Sequence, residues 1–512
     1  MASVNFIPSK GDCSEKLESF INGLSDNTTV VLNGECYLSR KVRVRNKKDL
    51  AIVGEDAKII TAFNPMEGFE KYSGAFAFEA CENLTLKNLI FDTDKPVNSA
   101  GTVTSVESDG SSFVVKMLDG CVLDGGQKIF WMFSMDKDGS PDYLLASYDI
   151  TPYEVLENGY VRILGRENLR KSIARLPVGE QICFLYGGRG NFNHLKNSAV
   201  TFEDCKDVSI LDITVHSAAG FMFVAFPRCE NFRIERYRVE CPKGSNRLMA
   251  SDRDGIHLLG VGGSVTIKDC FFDGLGDDAL NIHSTAGFIT AADGNSIKVI
   301  NKRFDIPMEK NWCQKGDVIA VYDSDFVRKG SLTVEKYEDS RVYYSACEGS
   351  IEVGDVLANT AFNAEILVEN CEIRNSRARA LLFQTENITV RDCKFFGMSL
   401  PAILMAPDIA VWHEMSPSKN VLIENCVFEK CGFIDSRKTN AVISAKPSHD
   451  SNDDSVYTAE QIHSNITIRK NVFKDVRNKA IYLSSVKGIK IENNDFGDLD
   501  YSETVELKNC KP

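Results

Sequence analysis

Nine stretches of this chain alternate apolar and polar residues with period two, as variations on one phrase: apolar-x-apolar-x-(Asn/Asp)-(Cys/Asn)-x-Phe. They are NLTLKNLIF (83–91), DVSILDITV (207–215), NFRIERYRV (231–239), SVTIKDCFF (264–272), EILVENCEI (365–373), NITVRDCKF (387–395), NVLIENCVF (420–428), NITIRKNVF (465–473) and GIKIENNDF (488–496), often 22 to 24 residues apart. Such alternation marks strands with one face in a core and the other towards water. A second short strand follows many copies: GFMFVA, GIHLLG, ALNIHS, ALLFQT, AILMAP, AIYLSS. Leucine-rich repeats need a different Leu/Asn phrase, and propeller blades are about twice as long. The pattern predicts an all-β fold, a right-handed parallel β-helix in which each coil adds a strand to parallel sheets and side chains stack about 4.8 Å apart. Helical spacing at Ser14–Leu24 (Leu17, Phe20, Ile21, Leu24) predicts a helix that caps the open end of the stack.

The phrase is absent from about 97–187 and from about 285–358, which read as denser β with turn signals. Each is expected to be a small inserted β-barrel or sandwich domain. The expected organisation is a cap and first coils at 1–96, an inserted β domain at 97–187, coils carrying the candidate site at 188–284, a second inserted barrel at 285–358, and C-terminal coils at 359–512. The second insertion springs from the coil ending at His283 and is expected to wall in whatever lies there.

Two phrases in that region match each other: Asp252-Arg-Asp-Gly-Ile-His257 and Gly276-Asp-Asp-Ala-Leu-Asn-Ile-His283. Aligning the second strands on their small residue puts Gly220, Gly255, Ala279, Ala380, Ala402 and Ala480 in one column. Phe221, Ile256, Leu280, Leu381, Ile403 and Ile481 then form the next, inward one. A slip of one residue would turn every apolar side chain outward. The column before the small residue becomes Ala219, Asp254, Asp278, Arg379, Pro401 and Lys479, so Asp254 and Asp278 are expected as ladder neighbours about 5 Å apart at the backbone. Asp277 lies beside them, with Arg253 as its own ladder neighbour. His257 and Asn281 are expected to point outward together, and His216 to reach the site from the preceding coil.

Stacked ionised carboxylates repel, so one of the pair is expected to have a raised pKa or to share a held water. Asp254, Asp277 and Asp278 are the candidate catalytic residues. Arg253, His257, Asn281, His283, Arg379 and His216 are the candidate substrate-binding residues. The arrangement suits glycoside hydrolysis with inversion, one carboxylic acid protonating the leaving oxygen and the others activating a water. No metal or cofactor is expected. The bland alternatives are a calcium site or solvated acidic turn, an Arg379 that only pairs with Asp278, and His257 and Asn281 as ladder hydrogen bonders. Elimination from uronates would instead need an Arg or Lys base and usually Ca²⁺.

Composition narrows the partners. The chain has 512 residues, 43% hydrophobic and 26% charged, with a formal charge of -13 and no evident basic patch, which argues against nucleic acid or an anionic membrane surface. No window of about 18 apolar residues is present. The start MASVNFIPSKGDCSEK lacks signal-peptide features, so a cytoplasmic location is expected for the sequence as it stands, or a secreted or periplasmic one had a leader been removed. Of the 16 cysteines, Cys270, Cys371, Cys393 and Cys426 share a phrase position that Asn471 and Asn494 also fill, so they are expected to be reduced interior stacking residues. CxxC and HExxH zinc spacings are absent.

DRDGIH followed by GDDALNIH resembles the signature of glycoside hydrolase family 110, bacterial exo-acting α-1,3-galactosidases. The resemblance implies a β-helix with inserted barrels and cofactor-free inversion. It also implies removal of terminal α-1,3-linked galactose from blood group B-type or linear α-galactosyl glycans. Terminal galactosyl oligosaccharides or glycoconjugates are then the partners. Separately from the resemblance, the surface offered by the inserted domains suits a homodimer. The family 28 polygalacturonases share the Asp-Gly and Asp-Asp elements, but their Gly-His turn and Arg-x-Lys have no counterpart at a suitable position here. A non-catalytic glycan-binding β-helix and a polysaccharide lyase are the other readings. Within the triad, the ladder favours Asp254 and Asp278 around a shared water and the family analogy favours Asp277 as acid, whereas Arg253 beside Asp277 argues against an acid there. Trp131, Trp312 and Trp412 are candidates to stack on a sugar, each with core or interface packing as the alternative.

Overall fold

Each repeat phrase folds as strand, corner, strand, and the corner explains the phrase. In SVTIKDCFF the strand Gly262–Lys268 ends at Asp269, whose φ of 56° is left-handed, and Phe271–Leu275 begins two residues later. Asn370, Asp392, Asn425 and Asn493 hold the same corner at φ 50°, 56°, 56° and 53°. Asn and Asp tolerate that region better than other residues with a Cβ. The residue after the corner closes onto carbonyls of the coil below: Cys393 Sγ lies 3.7 Å from the Val368 carbonyl oxygen, while Asn471 Nδ2 donates to the Ile423 carbonyl at 3.0 Å. Cysteine and asparagine are interchangeable there because both present a polar hydrogen inward. All 16 cysteines are free thiols.

In the computed structural model, which describes all residues except 1, 148–150, 188–194, 304, 310, 435–440, 449–457 and 459, the coils stack as a parallel β-helix. Ile267 pairs with Val368, Val368 with Val390, Val390 with Ile423 and Ile423 with Ile468, one residue per coil in a single parallel ladder. These belong to a 19-stranded sheet, and the short second strands form a 12-stranded one. The space between is filled by stacked apolar side chains, including Phe395, Phe428, Phe473 and Phe496 with ring centroids 4.8, 5.1 and 5.1 Å apart. The helix Ser14–Gly23 buries Leu17 and Ile21 in the same core. No helix among the described residues is long and apolar enough to cross a membrane.

Two antiparallel sheets interrupt the coils. The first has seven strands, from Asn98–Val106 to Gln181–Tyr186, and an antiparallel bridge between Ile129 and Thr151 links the strand Ile129–Met135 to the residues leading into Tyr153–Val155. The second runs from Gly287–Asp293 to Val356–Asn359, and a pairing of Gly287–Asp293 with Ser296–Asn301 closes it into a barrel.

A buried ion pair fastens the barrel to the coils. Arg228 donates through Nη2 to Asp317 Oδ2 and stacks 4.6 Å from the Phe362 ring centroid, while Asn359 Nδ2 donates to the same Asp317 oxygen at 2.9 Å. Removing one partner of a buried pair costs about 3–5 kcal/mol, because the other charge stays behind. Arg228→Ala is therefore expected to lower the calorimetric unfolding midpoint by several degrees. An unchanged midpoint would mean that the barrel is held by other contacts.

Candidate active site

The second sheet carries the site on its outward face. In Ile256–Leu259, Leu280–Thr285 and Leu381–Gln384 the residues Ile256, Leu258, Leu280, Ile282, Leu381 and Phe383 point into the core, so His257, Asn281, His283 and Leu382 must point out. Ile256 pairs with Leu280 and Leu280 with Leu381. This register sets Asp254 against Asp278 and Asp278 against Arg379, two positions earlier.

Side-chain contacts follow from it. Asp254 Oδ1 accepts from the Asp278 backbone N–H at 3.2 Å, and His257 Nδ1 lies 2.8 Å from Asp254 Oδ2. Arg379 donates to Asp278 Oδ1 through Nε at 2.7 Å and through its backbone N–H at 3.1 Å. One oxygen from each of Asp254, Asp277 and Asp278 lies within 4.8 Å of the others. Burial raises Asp254 well above the usual carboxylate range, with the Asp277 charge adding to it. Burial also pushes Asp278 up to about 8, Arg379 pulling it down while the Asp277 and Asp254 charges push it further up. Asp277 is the most accessible of the three, and its Oδ1 accepts from Arg377 Nη2 at 3.1 Å.

These groups line one wall of an open hollow. Asn281 and His283 also line it, and Asn281 Oδ1 is buried without a hydrogen-bond partner among the described residues. Part of the opposing wall comes from residues that the periodic pattern does not reach: Asn301, Arg303 and Glu309 of the second insertion, and Trp412, His413 and Glu414 after the strand Ile403–Met405. Trp412 is exposed, with the Arg303 guanidinium 3.7 Å from its ring centroid. The WHE triplet breaks the repeat after AILMAP, and that break was the one available signal for it.

Three expectations need correction. The coil preceding Asp254 is displaced by two residues from the expected alignment: Phe223, not Phe221, pairs with Ile256, so Phe221 rather than Ala219 occupies the column of Asp254. A two-residue slip keeps every side chain on its own face, so alternation cannot detect it. Phe221 instead meets the His257 ring edge-on at 5.0 Å. His216 does not line the hollow, and its Nδ1 lies 3.0 Å from the Glu240 carbonyl, after the strand Thr214–Val215 of the other sheet. Arg253 turns away from the hollow to stack 4.5 Å from the Trp131 ring centroid, on whose ring Arg377 also stacks at 4.0 Å. Arg377, absent from the candidate residues, is thus the cation bonded to Asp277. Trp312 is buried in the second insertion's core.

The sequence family described as right handed beta helix region matches residues 327–496. Alpha-1,3-galactosidase B of Akkermansia muciniphila is 26% identical over 353 residues, 66% of this chain and 43% of that protein. Alpha-1,3-galactosidase A of Bacteroides fragilis is 26% identical over 310 residues, 57% of this chain and 49% of that protein. Alpha-1,3-galactosidase B of Bacteroides fragilis is 24% identical over 485 residues, 88% of this chain and 80% of that protein. The match thus spans about half the length of the first two relatives. Among solved structures, a polygalacturonase from Erwinia carotovora ssp. carotovora aligns over 98% of this chain and 96% of its own at 9% identity, with a TM-score of 0.46. The chain is a parallel β-helix protein similar in sequence to curated α-1,3-galactosidases.

Proposed function

We propose that the chain is an exo-acting glycosidase that removes terminal α-1,3-linked galactose, from blood group B-type or linear α-galactosyl glycans, with inversion at the anomeric carbon. The observation that carries the reading is the stacking of Asp254 on Asp278, with Asp277 alongside, on the wall of an open hollow. The names of the relatives support galactose and the 1,3 linkage. Asp277 suits the acid by access: its side chain is 23% exposed, against 4% for Asp254 and 2% for Asp278. It gives its proton to the leaving oxygen as the glycosidic bond breaks. Asp278 takes a proton from water as the water oxygen bonds to the anomeric carbon.

The 4.8 Å grouping is tighter than the ~6.5–9.5 Å usual between inverting carboxylates. Inversion is supported instead by how the deep pair is held. Both oxygens of Asp254 and one of Asp278 are engaged by protein donors or by His257, which suits holding a water better than attacking a sugar.

The test is galactose release from α-1,3-galactobiose and the B trisaccharide, with chelator present, against α-1,4- and α-1,6-linked controls. Proton NMR should show β-galactose forming first. First-formed α-galactose would overturn inversion. Release from polygalacturonate, or a chelator-sensitive product absorbing in the ultraviolet, would replace the reading with a polygalacturonase or a lyase. Trp412 offers a face at the mouth, and Trp412→Ala is expected to raise KM roughly tenfold, the worth of one aromatic contact, with kcat nearly unchanged. A KM within twofold of wild type would remove Trp412 from substrate binding.

A further inference from the structure

Beside Asp254 runs a chain of buried groups that the hydrolytic reading leaves unused. His283 Nδ1 lies 3.0 Å from the Ser284 carbonyl oxygen. A carbonyl only accepts, so Nδ1 carries a hydrogen. A neutral His283 then has its lone pair on Nε2, which faces His257 Nε2 at 3.0 Å. His257 Nε2 must therefore donate, which leaves a lone pair on His257 Nδ1, 2.8 Å from Asp254 Oδ2. Two lone pairs at that distance repel, so a hydrogen lies between them, on the carboxyl. The other Asp254 oxygen accepts from the Asp278 N–H at 3.2 Å, as the carbonyl half of a carboxylic acid would.

We infer that the Ser284–His283–His257 chain fixes a proton on Asp254, so that the Asp254/Asp278 pair enters turnover with one negative charge, carried by Asp278. The role in turnover rests on the hydrolase reading, whereas the position of the proton does not. Among the described residues six other ionisable groups line the same hollow, Glu309 and His413 among them. Asp277 is adjacent, Arg379 comes from the next coil and holds Asp278 at 2.7 Å, and Arg303 lines the same hollow from the second insertion. Glu414 stands 3.5 Å from His283 Nε2 while its other oxygen accepts from Gln384 Nε2 at 3.0 Å. Burial moves each member of the chain in the required direction: Asp254 up, His257 down to about 4, and His283 down. Asp278 is then the carboxylate that takes the proton from water, while the proton of Asp254 stays in place. His257 and His283 are positioning residues for that charge.

The chain has seven histidines, so selective ¹⁵N-histidine labelling resolves their tautomers by long-range ¹H–¹⁵N spectra. His283 is expected to be protonated on Nδ1 alone and His257 on Nε2 alone, both unchanged from pH 5.5 to 8. An imidazolium at either, or a hydrogen on His257 Nδ1, would overturn the inference. The kinetic arm uses His283→Leu, which frees His257 to donate from Nδ1 and lets Asp254 ionise. Two stacked charges then raise the titration of Asp278, and the acid limb of kcat/KM should move up by about one pH unit. His283→Gln offers an oxygen to His257 and an N–H to Ser284, and should bring the limb back whatever its kcat. A limb unmoved in the leucine variant would overturn the role in turnover even with the expected tautomers. A wild-type protein inactive on every α-galactoside would overturn the hydrolase reading and that role with it, but not the placement of the proton.

Discussion

Asp277→Asn lowers kcat on α-1,3-galactobiose by about 10²–10⁴-fold, the usual worth of a general acid. The amide has the shape of the acid but no proton to give to the departing sugar oxygen. The loss should depend on the leaving group. A dinitrophenyl α-galactoside departs as a stable anion and needs little protonation, so the variant should retain far more of its rate on that substrate. The fold should survive, because Asp277 is the most exposed of the three carboxylates, and its partner Arg377 keeps the Gly276 carbonyl and the Trp131 ring as contacts. Equal losses on both substrates would make Asp277 a positioning group. Wild-type rates on both would remove it from the mechanism.

What the sequence reveals about this site follows the reach of its periodicity. The stacking of Asp254, Asp278 and Arg379 is readable because Ile256, Leu280 and Leu381 each sit two residues further along an alternating strand, and only one face of that strand can be buried. The preceding coil is not readable in the same way. Phe221 and Phe223 are both inward-compatible, and only the length of the turn after Val215 selects between them. Glu309, Arg303 and Glu414 lie beyond reach for a different reason. They belong to segments with no period, and they meet the coil only because the second insertion springs from Leu280–Thr285 while Glu414–Met415 pairs antiparallel with the end of that strand. Side-chain direction is the third gap. Arg253 is level with Asp277 and Arg377 with Gly276, both stack on the Trp131 ring of the first insertion, and alternation does not tell that Arg377 is the one that bonds Asp277.

Arg379→Met should move the acid limb of kcat/KM to higher pH by about 1–2 units, because the guanidinium is the opposite charge that favours ionised Asp278. The sign follows from the base role. Asp278 must be ionised to take a proton from water, and burial already holds it up to about 8 against the pull of Arg379. Without that pull it ionises only at still higher pH. The variant should therefore lose roughly 10- to 100-fold at pH values below the limb and progressively less as pH rises. Stability carries the same sign. A carboxyl whose folded pKa is raised contributes stability at pH values below its ordinary range and loses it as pH climbs towards the folded value. With Arg379 gone the folded value is higher still, so the gap in unfolding midpoint between variant and wild type should be wider at pH 8 than at pH 5. Arg379→Lys keeps a charge without the Nε donor and should recover part of both effects. A limb that stays in place in the methionine variant, with activity lowered equally at every pH, would mean that Arg379 binds substrate and that a carboxylate other than Asp278 serves as the base.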